Sequence, residues 1–152
     1  MKKDVQGLIE PMNKVVTLAL CMAFLSGCAT GLNSYQEHEM RYYHANGMSV
    51  EEKNPTTAAA LGFLPGGGSF YTREPGLGVL NLLTWPLSIF WDPVSGYNGA
   101  SSINYYATKA NIKRLKNKDL RRLEEKLQTK TISMEQYMLE KRRIDDKYDF
   151  EV

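Results

Sequence analysis

Cys28 is the residue best placed to do chemistry in this chain of 152 residues. A thiolate is a strong nucleophile, and this one directly follows Leu25-Ser26-Gly27 at the end of an apolar run. Other reactive residue types lack partners at useful spacings. His38 and His44 are six positions apart, so they do not share a helix face as an i, i+4 metal pair would. Asp145 and Asp146 are adjacent, and a helix points neighbours apart. Gly66-Gly67-Gly68-Ser69-Phe70 has the glycines of a phosphate cradle without the lysine that reaches the terminal phosphates. Pro65 before it and Phe70-Tyr71 after it do not fit the strand-turn-helix of a dinucleotide site. Neither Ser69 nor Ser95 sits in a Gly-x-Ser-x-Gly elbow. No catalytic residue, metal ligand or cofactor is assigned, and the expectation is a protein that is not an enzyme. Acids brought together from distant positions by the fold are the remaining route to a catalytic site.

The elements around Cys28 define its setting. Lys14 precedes an uncharged run from Val15 to Leu25, far short of the roughly twenty residues that span a bilayer. A positive flank, a short apolar stretch and then small residues mark a secretory signal peptide, residues 1–27, with Met12 as an alternative start. Leu25-Ser26-Gly27-Cys28 resembles the bacterial lipobox. The resemblance implies diacylglycerol on the Cys28 thiol, cleavage between Gly27 and Cys28, and a fatty acyl group such as palmitate on the new amino group. Ala29 rather than aspartate follows, as in lipoproteins sorted to the outer membrane, so the expected location is the bacterial cell envelope, facing the periplasm. Cleavage removes Cys21, and acylated Cys28 leaves no thiol for a disulfide, so the mature chain must hold together by packing.

The 19 basic and 17 acidic residues are nearly balanced, which argues against nucleic acid as a partner. Their distribution is uneven. Asn54 to Thr108 carries only Arg73, Glu74 and Asp92, whereas the chain beyond is densely charged. Residues 28–54 read as a tether and a short helix from about Ser34 to Ala45, stopped by Asn46-Gly47. Residues 55–99 read as an apolar helical hairpin broken by glycine and proline. Its arms are Thr56–Leu64 and Gly76–Trp91, with Gly66–Gly68 as the hinge and Arg73-Glu74 at its tip. Pro86 interrupts the second arm near Thr84-Trp85. Phe70, Tyr71, Trp85, Phe90 and Trp91 are the candidate membrane or partner contacts, and the competing expectation is an ordinary buried core.

"DPVSGYNGASS" reads as turns. In residues 100–152 a long amphipathic helix from about Ser102 to Gln128 carries Ile112, Leu115, Leu120, Leu123 and Leu127 in one stripe. Ser133 and Gln136 have the spacing of a capping box, with Ile132 and Tyr137 placed for a hydrophobic staple. The helix they start should turn Met134, Tyr137, Met138, Ile144 and Tyr148 inward, completing a C-terminal helical hairpin. The fold class expected is mainly α, with no sheet.

Two resemblances overlie this reading. Gly66, Gly67, Gly68, Phe70, Tyr71, Gly76, Gly78, Leu83, Thr84, Trp91 and Asp92 follow in order the pattern of the TM2-type hairpin domain. Gly68-Ser69 stands where that family has His-Arg, and Arg73 where it has a glycine. Leu120 to Ile144 resembles a SHOCT-type C-terminal helical hairpin, with Lys130 or Thr131 in place of its turn glycine. That resemblance implies interaction or self-association. The combined expectation is a lipid-anchored protein with an accessory or scaffolding role. A small binding module for a lipid or peptide, using Phe63, Phe70, Trp85 and Trp91, is the alternative.

Overall fold

The computed structural model describes residues 31–150. The signal peptide, the Gly27–Cys28 bond and the lipidation site Cys28 lie outside the described residues. The fold is mainly helical, 74% of it helix, with no strand among the described residues. Six α-helices follow in order: α1 Ser34–Ala45, α2 Pro55–Leu61, α3 Gly67–Tyr71, α4 Pro75–Leu83, α5 Asp92–Gln128 and α6 Met134–Tyr148. A 3-10 helix, Leu87–Phe90, lies between α4 and α5. The described chain divides into two compact units. Residues 55–99 with Gly31 form an apolar-rich unit; residues 32–54 and the chain from Ala100 onward form a charged unit.

In the charged unit, α1 begins where Asn33 caps it reciprocally with Gln36, the bonds being 2.9 and 3.0 Å. It ends at Asn46, and Gly47 follows with φ +67°, a conformation that glycine adopts without strain. The core is Tyr43, Ile112 and Tyr148, with Tyr42, Met48, Leu115, Ile144 and Phe150 packed against it. Asn104 on α5 holds the extended segment after α1, accepting from the amides of Glu52 and Lys53 and donating to the Lys53 carbonyl. Ser133 and Gln136 form the capping box that starts α6. Of the residues expected on the inner side of α6, Tyr148 is buried and Tyr137 and Ile144 are half-buried, but Met134 and Met138 are exposed. The inner side is set by the 137, 144, 148 spacing, and both methionines fall off it.

The apolar-rich unit departs further from expectation. Its two-armed hairpin is instead three short helices and a 3-10 turn, with α2 packed on α3 and α3 on α4. The triple glycine does not act as a plain hinge. Gly66 is left-handed (φ +70°), but Gly67 and Gly68 lie within α3. There the missing side chain matters more than backbone freedom. A Cβ on Gly67 would lie 2.3 Å from the Leu61 carbonyl oxygen, and one on Gly68 would lie 3.0 Å from that of Asp92. "DPVSGYNGASS" is not a run of turns either: it is the first part of α5, with Pro93 in the first turn, where a missing amide costs nothing. Gly96 and Gly99 face inward there, against the Ala58 carbonyl and the Thr72 side chain.

Candidate functional site

In the apolar-rich unit each element puts its small or polar residues inward. On α4, Gly78 and Asn81 are buried while Val79, Leu82 and Leu83 are exposed, Leu83 at 77%. In the 3-10 turn, Ser88 is buried and Leu87 and Phe90 face out, Phe90 at 81%. At the start of α5, Asp92, Gly96 and Gly99 are buried, with Val94 and Tyr97 outside. Among residues 55–99 the only buried side chain made of hydrocarbon alone is Ala58. This inverts the usual amphipathic arrangement, in which the apolar stripe faces the core.

The interior is held by a polar network centred on fully buried Asp92. One of its oxygens, Oδ1, accepts from Ser69 Oγ at 2.6 Å and from Asn81 Nδ2 at 2.8 Å. Asn81 Nδ2 also reaches Ser69 Oγ at 3.0 Å, and Asn81 Oδ1 accepts from the Trp91 indole N–H at 2.8 Å. Thr72 and Thr84 turn their hydroxyls back onto helix carbonyls. Asp92 Oδ2 and Ser88 Oγ are buried with no hydrogen-bond partner among the described residues. Asp92 is the first residue of α5. Glu74, half-buried just ahead of α4, has its carboxyl raised above the ordinary value by burial.

The five contact candidates lie on or near this unit's surface: Phe70, Trp85, Phe90 and Trp91 are exposed, and Tyr71 is half-buried. Trp91 is both exposed and tethered, since its indole nitrogen bonds inward while much of its ring stays outside. Phe63, from the alternative binding reading, is also exposed. The structure brings none of these rings together into a buried pocket core. The polar network was missed in the sequence, where Ser69, Asn81, Ser88 and Asp92 stand in separate elements; the low charge of the segment made Asp92 the one conspicuous member.

The charged unit has a different polar centre. Glu39, only 2% exposed, accepts from the hydroxyls of Tyr105 at 2.6 Å and Tyr43 at 3.1 Å and pairs with the Lys109 ammonium. Burial pushes the Glu39 carboxyl up, but the bonds from Lys109, Tyr105 and Tyr43 outweigh it and hold it below its ordinary value of 4.5. Burial, with the carboxylate beside it, pushes the Tyr105 hydroxyl up to about 12 and raises Tyr43 as well. Nearby, Lys116 bonds Asp145 at 2.9 Å and Asp149 at 2.8 Å, and the Asp149 bond foremost raises its pKa. Tyr148 donates to Asp119 at 2.7 Å and lowers that carboxyl. An open cleft of about 550 Å³ lies beside Glu39, lined by Tyr35, Lys109, Lys113, Lys116, Tyr148 and Phe150 among others.

Both histidines lie at the surface, where His44 Nδ1 is 3.1 Å from Ser49 Oγ. No cluster of three His, Cys, Asp or Glu side chains able to hold a metal occurs among the described residues. No helix among them is long and apolar enough to cross a membrane. No family model, curated protein or solved structure matches the chain.

Proposed function

We propose that this protein is a lipid-anchored component of the bacterial cell envelope with a non-catalytic accessory or scaffolding role. In this reading Cys28 carries the anchor, on an outer membrane and facing the periplasm. Residues 55–99 form the surface that packs against membrane or partner, and the charged C-terminal hairpin of α5 and α6 binds protein, either another component or a second copy.

The observation that carries the reading is the inverted apolar-rich unit. Large apolar side chains such as Leu83 and Phe90 are displayed around a polar, glycine-packed interior. Large apolar side chains exposed in such number are seldom left to water and mark an interaction site. No cluster of three His, Cys, Asp or Glu side chains able to hold a metal accompanies them among the described residues, and the chemistry this reading assigns is acylation of Cys28.

The test is made in intact bacterial cells with a labelled fatty acid. The natural chain is expected to incorporate label and to yield a mature N-terminus at Cys28. The Cys28→Ala chain is expected to incorporate none and to accumulate as precursor. Continued cleavage between residues 27 and 28 in that variant would sink the lipoprotein assignment.

A further inference from the structure

We infer that the partner of the apolar-rich unit is the acyl-chain region of a single leaflet: residues 55–99 are sunk into the bilayer beside the anchor and do not cross it. The inference rests on the lipoprotein reading for its location and on the fold for its depth.

Three observations point to lipid as the occupant. First, the outward display is not confined to one element: exposed apolar side chains come from α3, α4, the 3-10 turn and the start of α5, while Leu61, Leu77, Leu80 and Ile89 are half-buried. A protein partner takes one face, whereas a solvent of acyl chains surrounds everything immersed in it. Second, the interior follows the rules of structures folded in hydrocarbon. Backbones approach through Gly62, Gly68 and Gly96, and the polar side chains are turned inward onto one another. Third, the chain reaches the anchor at once. Gly31 belongs to this unit and lies against Asn98, its Cβ position 2.9 Å from Asn98 Oδ1. Cys28 is three residues earlier, so no more than about 11 Å of chain separates the lipidated residue from Gly31.

Length sets the depth. The longest helix wholly inside the unit, α4, has nine residues and rises about 14 Å. A hydrocarbon core is about 30 Å thick, so α4 reaches through one leaflet and stops. Trp91, bonded inward through its nitrogen and exposed along its ring, suits the upper part of that layer.

Trp85 and Trp91 are the only tryptophans in the chain, so their fluorescence reports on this unit alone. The full lipidated protein is reconstituted in vesicles of phosphatidylethanolamine and phosphatidylglycerol containing lipids brominated at different depths. The expected result is quenching severalfold stronger with bromine in the upper and middle leaflet than at the bilayer centre, with both rings shielded from aqueous iodide. Leu83→Asp and Phe90→Asp alter exposed positions, and should cut the lipid quenching severalfold while circular dichroism shows unchanged helix. Strongest quenching at the bilayer centre overturns the one-leaflet depth. Free access of iodide with no lipid quenching overturns insertion, as does shielding that follows protein concentration rather than lipid. The Cys28→Ala protein, added to the same vesicles at high lipid, separates this inference from the proposed function. Quenching retained there supports insertion even if labelling of Cys28 fails. Absence of quenching in a properly labelled protein leaves the anchor standing and removes the insertion.

Discussion

The two units are built from the same element, the α-helix, and solve opposite problems. In the charged unit, Tyr43, Ile112 and Tyr148 are buried and most lysines and acids of α5 and α6 are exposed, with Lys116, Asp119, Glu140 and Asp145 half-buried. In the apolar-rich unit, Ser69, Asn81, Ser88 and Asp92 are buried and Leu83, Leu87 and Phe90 face outward. Each unit also buries one acid, and their settings differ. Glu39 is matched by an ammonium and two hydroxyls. Asp92 has two neutral donors on one oxygen and none on the other. A helical fold therefore does not prescribe which residues go inside. Side-chain volume and the surrounding solvent decide that, and small polar side chains with glycines let backbones approach closely enough to form an interior.

The largest expected effect tests the acid of the charged unit. Glu39→Ala strands the Tyr105 hydroxyl and leaves the Tyr43 hydroxyl only its longer bond to the Tyr148 carbonyl, at 3.4 Å, while Lys109 stays partly solvated. The loss should be about 3 kcal/mol, read as faster amide hydrogen exchange in α1 and the facing stretch of α5. The amides of α3 and α4 should be unaffected; equal acceleration there would mean that the two units do not open separately. Next in size is a test of how the apolar-rich unit is packed. A Cβ on Gly62 would lie 2.4 Å from the Pro93 backbone nitrogen. Backbone cannot swing aside, so Gly62→Ala should cost about 2 kcal/mol in urea unfolding followed by tryptophan emission. Gly78→Ala meets first the ring of exposed Phe70, at 2.7 Å, and should cost clearly less because that ring can turn away. Equal losses at the two positions would show that glycine contributes there by something other than close approach.

The difference between the units also explains what could be read in the sequence. The bounds of α1, the Ser133–Gln136 cap and the Ile112–Leu127 stripe follow local rules of spacing and hydrogen bonding, and they stand where those rules put them. Glu39 was invisible because its partners Tyr105 and Lys109 lie far along the chain, on a different helix. The inverted interior was hidden for another reason. The period of α4 separates Gly78 and Asn81 from Val79, Leu82 and Leu83, but periodicity does not say which side faces in. The rule that supplies the answer presumes water outside. Gly96 and Gly99 misled in the same way: glycine next to serine, asparagine and proline reads as turn, and only the neighbouring Ala58 carbonyl and Thr72 reveal a need for space.

A smaller, reversible difference should appear on acidification, with opposite signs in the two units. The Glu39 carboxyl is held below its ordinary value of 4.5 in the fold. Its contribution is therefore fully present above that pH and is lost as pH falls through the lower folded value. The Glu74 carboxyl is raised by burial, so the folded unit takes up its proton first and gains stability as pH falls toward 4.5. Hydrogen exchange as a function of pH, corrected for the intrinsic rate, should show α1 loosening below pH 4.5 while α4 tightens on the way down to it. Glu39→Gln and Glu74→Gln should each abolish one trend and leave the other.

The smallest expected effect is a gain. Gly76 lies in the first turn of α4, has nothing within 4 Å of its Cβ position and does not carry a positive φ. It is the one glycine of the apolar-rich unit for which neither close approach nor backbone conformation gives a reason. Gly76→Ala should stabilise α4 by about 0.5 kcal/mol, through restriction of the unfolded chain and better helix propensity. A measured loss of stability would mean that the space beside Gly76 is filled in the working protein. For a unit whose largest apolar side chains, such as Leu83 and Phe90, face outward, the filling would come from outside the chain, and repeating the measurement in vesicles and in detergent-free buffer would tell lipid from a second protein.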